Sequence, residues 1–330
     1  MRPLSYVRAH SVEDAVATVA ADPASAFLAG GTTEIDLVRL GVAHPDLLVD
    51  INDLPLAGVE ELPGGGIRIG GLARMRDVAR NPAVIERYPA VSESLLLGAS
   101  EQLRNMASMG GNLCQRVRCP YFRDNVSACN KREPGTGCSA LEGINRGHAI
   151  LGTSDHCIAT HPSDVAVALV AFDAVVHTVG PSGPREIAID DFYLLPADTP
   201  EVEHPLEHGE LIAAIELPEL EIARNSLYLK FRDRRSYEFA LVSVAAALEV
   251  SDGVVSRVRL ALGGVGTKPW RARHAEAELV GAPATAQQFA HAAEAELEPA
   301  EPREHNAFKV ELAKRAIVRA LTGALNGGER

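Results

Sequence analysis

Residues 26–40 read AFLAGGTTEIDLVRL. A short apolar run, paired glycines, two threonines and an apolar-periodic segment predict a strand, a tight turn and a helix, in that order. Upstream, SVEDAVATVAA at 11–21 predicts a short helix. Ser11 is placed to cap it, acids follow in its first turn, and Ala15, Val16 and Val19 share one apolar face. Downstream, DLLVDINDL at 46–54 reads as a further buried strand. Residues 1–55 thus form a small α/β unit.

A second unit covers 56–224. PGGG at 63–66 is a turn ahead of GIRIGGLARMRDVAR, a strand giving way to a helix, and another helix is expected around 83–98. SMGGNLCQRVRCPYF at 108–122 leads into about 35 residues of Gly, Pro, Asn and charge, and so long an irregular segment in a compact domain is usually functional. VAVALVAFDAVVHTV at 165–179 reads as an apolar helix running into a strand, and REIAIDDFYLLP and ELIAAIELP supply two more strand-like runs. The pattern changes after Asn225. Two runs flank an SDG turn at 251–253, and Val258, Leu260 and Leu262 alternate with Arg257, Arg259 and Ala261, as in an antiparallel hairpin with one buried face. Alanine-rich helices at about 285–298 and 307–325 complete a separate α+β domain over 225–330, the second carrying Phe308, Leu312, Ile317 and Leu321 on one stripe. The whole chain reads as α+β.

The 330 residues are 46% hydrophobic and 23% charged, the composition of an ordinary globular chain. No stretch approaches the ~20 apolar residues of a membrane span. The start, MRPLSYVRAHSVEDAV, has no apolar segment behind its arginines, so a cytoplasmic location is the default expectation. Thirty-two basic against forty-four acidic residues, a net charge of −12, is a poor balance for gripping nucleic acid.

Gly-Gly turns at 30–31 and 110–111 stand out. Paired glycines let backbone N–H groups converge on one spot without Cβ obstruction, which is how a nest holds phosphate oxygens; Thr32, Thr33 and Ser108 add hydroxyls nearby. Neither turn fits the G-x-G-x-x-G or G-x-x-x-x-G-K-[ST] pattern. Two tight turns of purely structural role are the alternative reading.

All five cysteines lie between 114 and 157, with spacings Cys114-x4-Cys119-x9-Cys129-x8-Cys138-x18-Cys157. No C-x2-C pair is present, so common zinc-ribbon and bacterial ferredoxin spacings are absent. Arg116, Arg118, Arg123, Lys131, Arg132 and Arg146 outnumber Asp124, Glu133 and Glu142 in this region, which suits an anionic iron–sulfur cluster. Zinc and a set of inert buried thiols are the alternatives. If four cysteines are ligands, Cys114 is the surplus one, since it sits in the second glycine turn. His148, His156 and His161 flank the region and suit supporting roles beside four thiolates.

AGGTTEIDLV, SMGGNLCQRVRC, CIATHPSDVAVAL and LKFRDRRSYEFALVSVA occur in the order found in the FAD-binding (medium) subunits of molybdenum hydroxylases, the xanthine dehydrogenase, carbon monoxide dehydrogenase and aldehyde oxidoreductase relatives, and the chain resembles that family throughout. RCPYFRD, CNKREPGTGCSALEGINR and HAILGTSDHCIATHPSD resemble the aldehyde oxidoreductase version, whose FAD subunit carries an additional 4Fe-4S cluster in a loop at about 114–160. The resemblance implies a two-part FAD-binding region of PCMH type followed by a C-terminal domain. It implies that Ala29, Gly30, Gly31, Thr32 and Thr33 wrap the FAD pyrophosphate and that Ser108, Gly111 and Asn112 form a second nucleotide loop. Asp164 would bond the flavin side, Lys230 would approach the isoalloxazine, and Cys119, Cys129, Cys138 and Cys157 would bind the cluster.

From the residues alone, Asp164 also reads as a cap of the following helix, Lys230 as a strand-edge charge, and Arg232, Arg234 and Arg235 as a solvated basic run. The family reading makes the chain an electron-transfer subunit with no catalytic residues of its own. Its implied partners are a small 2Fe-2S subunit and a large molybdopterin-binding subunit, as a heterotrimer or its dimer, with periplasmic co-export through a signal-bearing partner as an alternative location. A self-sufficient flavoprotein oxidase and a non-enzymatic zinc-stabilised binding module are the competing classes.

Overall fold

A computed structural model of the chain describes residues 3–327. Strands Ser5–Arg8, Leu47–Asp50 and Ser25–Leu28 form a parallel sheet with Leu47–Asp50 in the middle. Helix Val12–Ala20 connects the outer two and buries Ala15, Val16 and Val19; the Ser11 hydroxyl accepts from Asp14 N at 3.0 Å to cap it. The AFLAGGTT segment leaves its strand, turns at the glycines and enters helix Glu34–Leu40, which ends at Gly41 in the left-handed region.

The next five strands form an antiparallel sheet ordered Val59–Glu61, Ile67–Gly70, Leu211–Leu217, Val175–Gly180, Gly183–Ala188. The helix expected around 83–98 is two helices, Pro82–Arg87 and Pro89–Leu97, because Pro89 supplies no amide hydrogen to continue the first and starts the second at its N1 position. Helix Asp164–Ala171 is buried along its length from Val165 onward and packs between this unit and the C-terminal sheet.

The last sheet is antiparallel, Ser226–Phe231, Val242–Ser251, Val254–Gly263 and Trp270–Arg271, backed by helices Arg273–Leu279, Ala286–Leu297 and Phe308–Leu325. It does not have the single buried face that its alternation suggests. Val244, Ala246, Leu260 and Leu262 enter the core under the C-terminal helices. The opposite face carries Ala245, Ala247 and Ala261, small enough for helix Asp164–Ala171 to lie against them. Buried on both faces, this hairpin fixes the height at which Tyr228 and Lys230, on its neighbouring strand, meet the first residue of that helix.

The cysteine-bearing segment contains one helical turn, Pro120–Arg123, and short bridges pairing Cys129 with Cys138 and Ser154 with Cys157. Side chains bonding to backbone order the rest. Arg132 donates to the carbonyls of Tyr121, Phe122 and Ser127. Lys131 Nζ reaches Pro200 O at 2.5 Å, and the wholly buried Lys309 donates to the carbonyls of Gly147, His148 and Gly264 at 3.1, 2.9 and 2.7 Å. The C-terminal domain thereby clamps the return of the loop.

Candidate functional site

The two glycine turns meet. Gly30 lies so close to the Met106 carbonyl that a Cβ there would stand 1.9 Å from its oxygen, and Gly31 has φ +68, where side chains are strained. The second turn opens helix Met109–Leu113, with the Ser108 hydroxyl accepting from Gly111 N at 3.2 Å; a Cβ on Gly111 would stand 2.8 Å from that hydroxyl. Gly110 N donates to Gly71 O at 2.7 Å, anchoring the turn just beyond strand Ile67–Gly70 of the five-stranded sheet.

Two adjoining cavities flank the turns. One, of about 380 Å³, is lined by Ala29, Gly30, Gly31, Ser108 and Gly110. The other, of about 510 Å³, is lined by Asn112, Asp164 and Lys230. Thr32, Thr33 and Gly111 line both, so all ten residues expected to hold the nucleotide border one elongated space. The missing Cβ atoms of the turns leave room for a diphosphate at the waist of this space.

Asp164 is not the helix cap. Ser163 caps, accepting from Ala166 N at 3.2 Å and donating to Asn112 Oδ1 at 2.6 Å. The Asp164 carboxylate instead accepts from Lys230 Nζ at 2.7 Å and from the Tyr228 hydroxyl at 2.8 Å. Lys230 also donates to Leu97 O at 3.1 Å; burial lowers its pKa, against the pull of Asp164. Tyr228 escaped the sequence reading, although its place two residues before Lys230 on one strand sets both on one face. Arg118, read there as part of the loop's charge, borders the larger cavity, donates to Thr33 Oγ1 at 3.3 Å and stacks over Phe239. Arg234 lines the larger cavity too, so the basic run at 232–235 is not wholly a solvated face.

Cys119, Cys129, Cys138 and Cys157 line one small cavity, whereas Cys114 faces the 380 Å³ space. All five are free thiols. Burial pushes the thiols of Cys114 and Cys119 up to about 12 and that of Cys157 up to about 11, so unligated they are neutral. Among the described residues no group of three or more His, Cys, Asp or Glu side chains is spaced to hold a single metal ion. The loop's excess positive charge is largely met from outside it. Arg116 and Lys131 pair with Glu203, Arg118 and Arg123 with Asp36, and Arg146 with Asp233. A third cavity, of about 360 Å³, touches Cys119 and His148 on one side and Ser163 and Asp164 on the other, placing the thiol cluster next to the nucleotide space.

An elongated chamber pinched by paired-glycine turns defines a nucleotide-cofactor protein. Residues 2–220 match the FAD binding domain in molybdopterin dehydrogenase, and residues 227–324 match the CO dehydrogenase flavoprotein C-terminal domain. The aldehyde oxidoreductase FAD-binding subunit PaoB of Escherichia coli (strain K12) is 46% identical over 326 residues, covering 98% of this chain and 99% of that one. The carbon monoxide dehydrogenase medium chain of Hydrogenophaga pseudoflava is 27% identical over 325 residues, covering 97% and 96%. A solved structure of carbon monoxide dehydrogenase from Hydrogenophaga pseudoflava superimposes with a TM-score of 0.77 at 26% identity, covering 99% of this chain and 98% of that one. The chain belongs to the FAD-binding medium subunits of the molybdenum hydroxylase family. It is therefore an oxidoreductase component that binds FAD.

Proposed function

We propose that this chain is the electron-transfer subunit of an aldehyde-oxidising complex, holding FAD in the glycine-pinched chamber and a 4Fe-4S cluster on Cys119, Cys129, Cys138 and Cys157. The observation that carries the cluster is the convergence on one cavity of four cysteines from separate turns of one loop, while the fifth faces elsewhere. A 4Fe-4S cluster would take one thiolate on each of its four irons, which the four cysteines lining this cavity would supply. The space between them is about 10 Å³, room for one water at most, so loading requires the cysteine-bearing turns to part.

FAD, when bound, would supply the capacity to take up electrons one at a time and pass them on to an external acceptor. The residues of this chain do the rest. Gly30 and Gly31 offer amides to the diphosphate, Thr32, Thr33 and Ser108 offer hydroxyls, and the Asp164–Lys230 pair presents polarity at the flavin side. A large molybdopterin-binding partner would oxidise the substrate and a small 2Fe-2S partner would deliver the electrons. The medium-chain designations of the relatives support that division of labour.

Iron, acid-labile sulfide and flavin analysis of the purified chain, with its absorption spectrum, tests the reading. Four irons and one FAD per chain is the expected result. Flavin with zinc, or flavin with no metal, would remove the cluster from the proposal.

A further inference from the structure

The geometry points to Asn52 and Arg74 as positioning residues for the cofactor's diphosphate, joined in a relay that fixes the two glycine turns against each other from behind the chamber. Asn52 Nδ2 donates to Ala29 O, at the first turn, at 2.9 Å. Its Oδ1 accepts from Arg74 Nη2 at 2.7 Å, and Arg74 Nη1 donates to Met106 O at 2.6 Å. Met106 O is the carbonyl that abuts Gly30, two residues ahead of Ser108. A carbonyl beside each turn is therefore tied to one guanidinium through one amide.

Neither residue borders the cavities, so neither is placed to touch the nucleotide. The second turn is already fastened to the backbone around Arg74, by Met75 N to Ala107 O and Met109 N to Ala73 O, both at 2.9 Å. The first turn belongs to a different sheet. A nest built from two separately anchored turns binds a diphosphate well only if their spacing is held before the ligand arrives. Arg118 joins Thr33 to Gln115 at 3.3 and 3.4 Å, and the Asn52–Arg74 relay joins Ala29 to Met106 through shorter hydrogen bonds, two of them charge-assisted. Lysine could not replace Arg74, because one ammonium lacks the fork that reaches two carbonyl-type acceptors in fixed directions.

The inference rests on reading the turns as a diphosphate cradle, and titration calorimetry of the deflavinated full chain with ADP and with AMP separates the two. Wild type is expected to bind ADP more tightly than AMP. Arg74→Met and Asn52→Ala are each expected to weaken ADP about tenfold, the scale of one lost charge-assisted hydrogen bond, with AMP little changed. The double variant is no weaker than the worse single, since the links are in series. Arg80→Ala, at an exposed pair with Glu101, leaves both ligands alone. A merely structural role would lower both affinities together, so the ADP-to-AMP ratio is the deciding readout. Folded variants with a wild-type ratio overturn the relay. Equal binding of ADP and AMP by wild type overturns the cradle reading first. Should Arg74→Met fail to fold, Arg74→Lys decides by the same ratio.

Discussion

Lys230 Nζ stands 2.7 Å from Asp164 Oδ2, and the two side chains are only 1% and 9% exposed. Opposite charges so well buried are costly to separate, because the survivor keeps its desolvation penalty without its partner. Lys230→Met is expected to destabilise the chain by about 3–5 kcal/mol in chemical denaturation. Lys230→Met with Asp164→Leu removes both charges and should recover much of that stability. The same double variant should retain less FAD, since the chamber loses its polar wall. Wild-type FAD affinity in the double variant would make the pair purely structural.

Gly30→Ala and Gly135→Ala separate two reasons for glycine. At Gly135, φ is +86 and none of the described residues lies within 4 Å of an added Cβ, so alanine meets only the left-handed backbone penalty of roughly 1–2 kcal/mol. At Gly30 the obstacle is the Met106 carbonyl, and the turns must part to admit a methyl. Gly30→Ala should weaken FAD binding at least about tenfold and cost about 1–3 kcal/mol, whereas Gly135→Ala leaves flavin fluorescence titrations unchanged.

Features carried by local chemistry were legible in the sequence. The Ser11 cap and the glycine turns depend on neighbours a few residues away, whereas the stripe expected on helix Phe308–Leu325 holds only in part: Ile317 and Leu321 are buried, Phe308 is exposed, and Lys309 and four alanines complete the core face. Long-range pairings were not. Nothing near Asp164 announces Tyr228, and the partners of the loop's arginines, Asp36 and Glu203, lie far away along the chain. The second buried face of the C-terminal sheet was hidden for a different reason. Ala245, Ala247 and Ala261 carry too little hydrophobic surface to mark a core face, yet their smallness is what lets a helix pack there.

Cys129→Ser and Cys114→Ala should have opposite consequences for iron. Cys129 shares its cavity with Cys119, Cys138 and Cys157, and serine offers a poor ligand there, so iron and labile sulfide should fall sharply. Cys114 lies against the nucleotide space, and its loss should cost about 1 kcal/mol of packing with iron unchanged. Loss of iron in Cys114→Ala with retention in Cys129→Ser would reverse the ligand assignment. Turnover that survives in Cys129→Ser with the natural acceptor would place the cluster off the obligatory electron path.

His161 sets a test in acid. Its Nδ1 accepts from Ser163 N at 3.3 Å, its ring lies edge-on to Tyr193 with centroids 4.4 Å apart, and its buried Nε2 has no partner among the described residues. Protonating Nδ1 would set a donor against a donor. Burial, with Lys131 adding repulsion, holds the pKa down at about 3, against 6.5 for an ordinary histidine. Between those values the unfolded chain carries a proton that the folded chain lacks. Stability from this group is therefore complete above about pH 6.5 and falls by up to about 1.4 kcal/mol per unit as pH drops toward 3. His161→Asn keeps an acceptor for the Ser163 amide and cannot titrate. Denaturation midpoints measured from pH 7 down to pH 4 should show a shallower acid slope in His161→Asn than in wild type. Identical slopes would mean that the imidazole is protonated as readily in the fold as outside it.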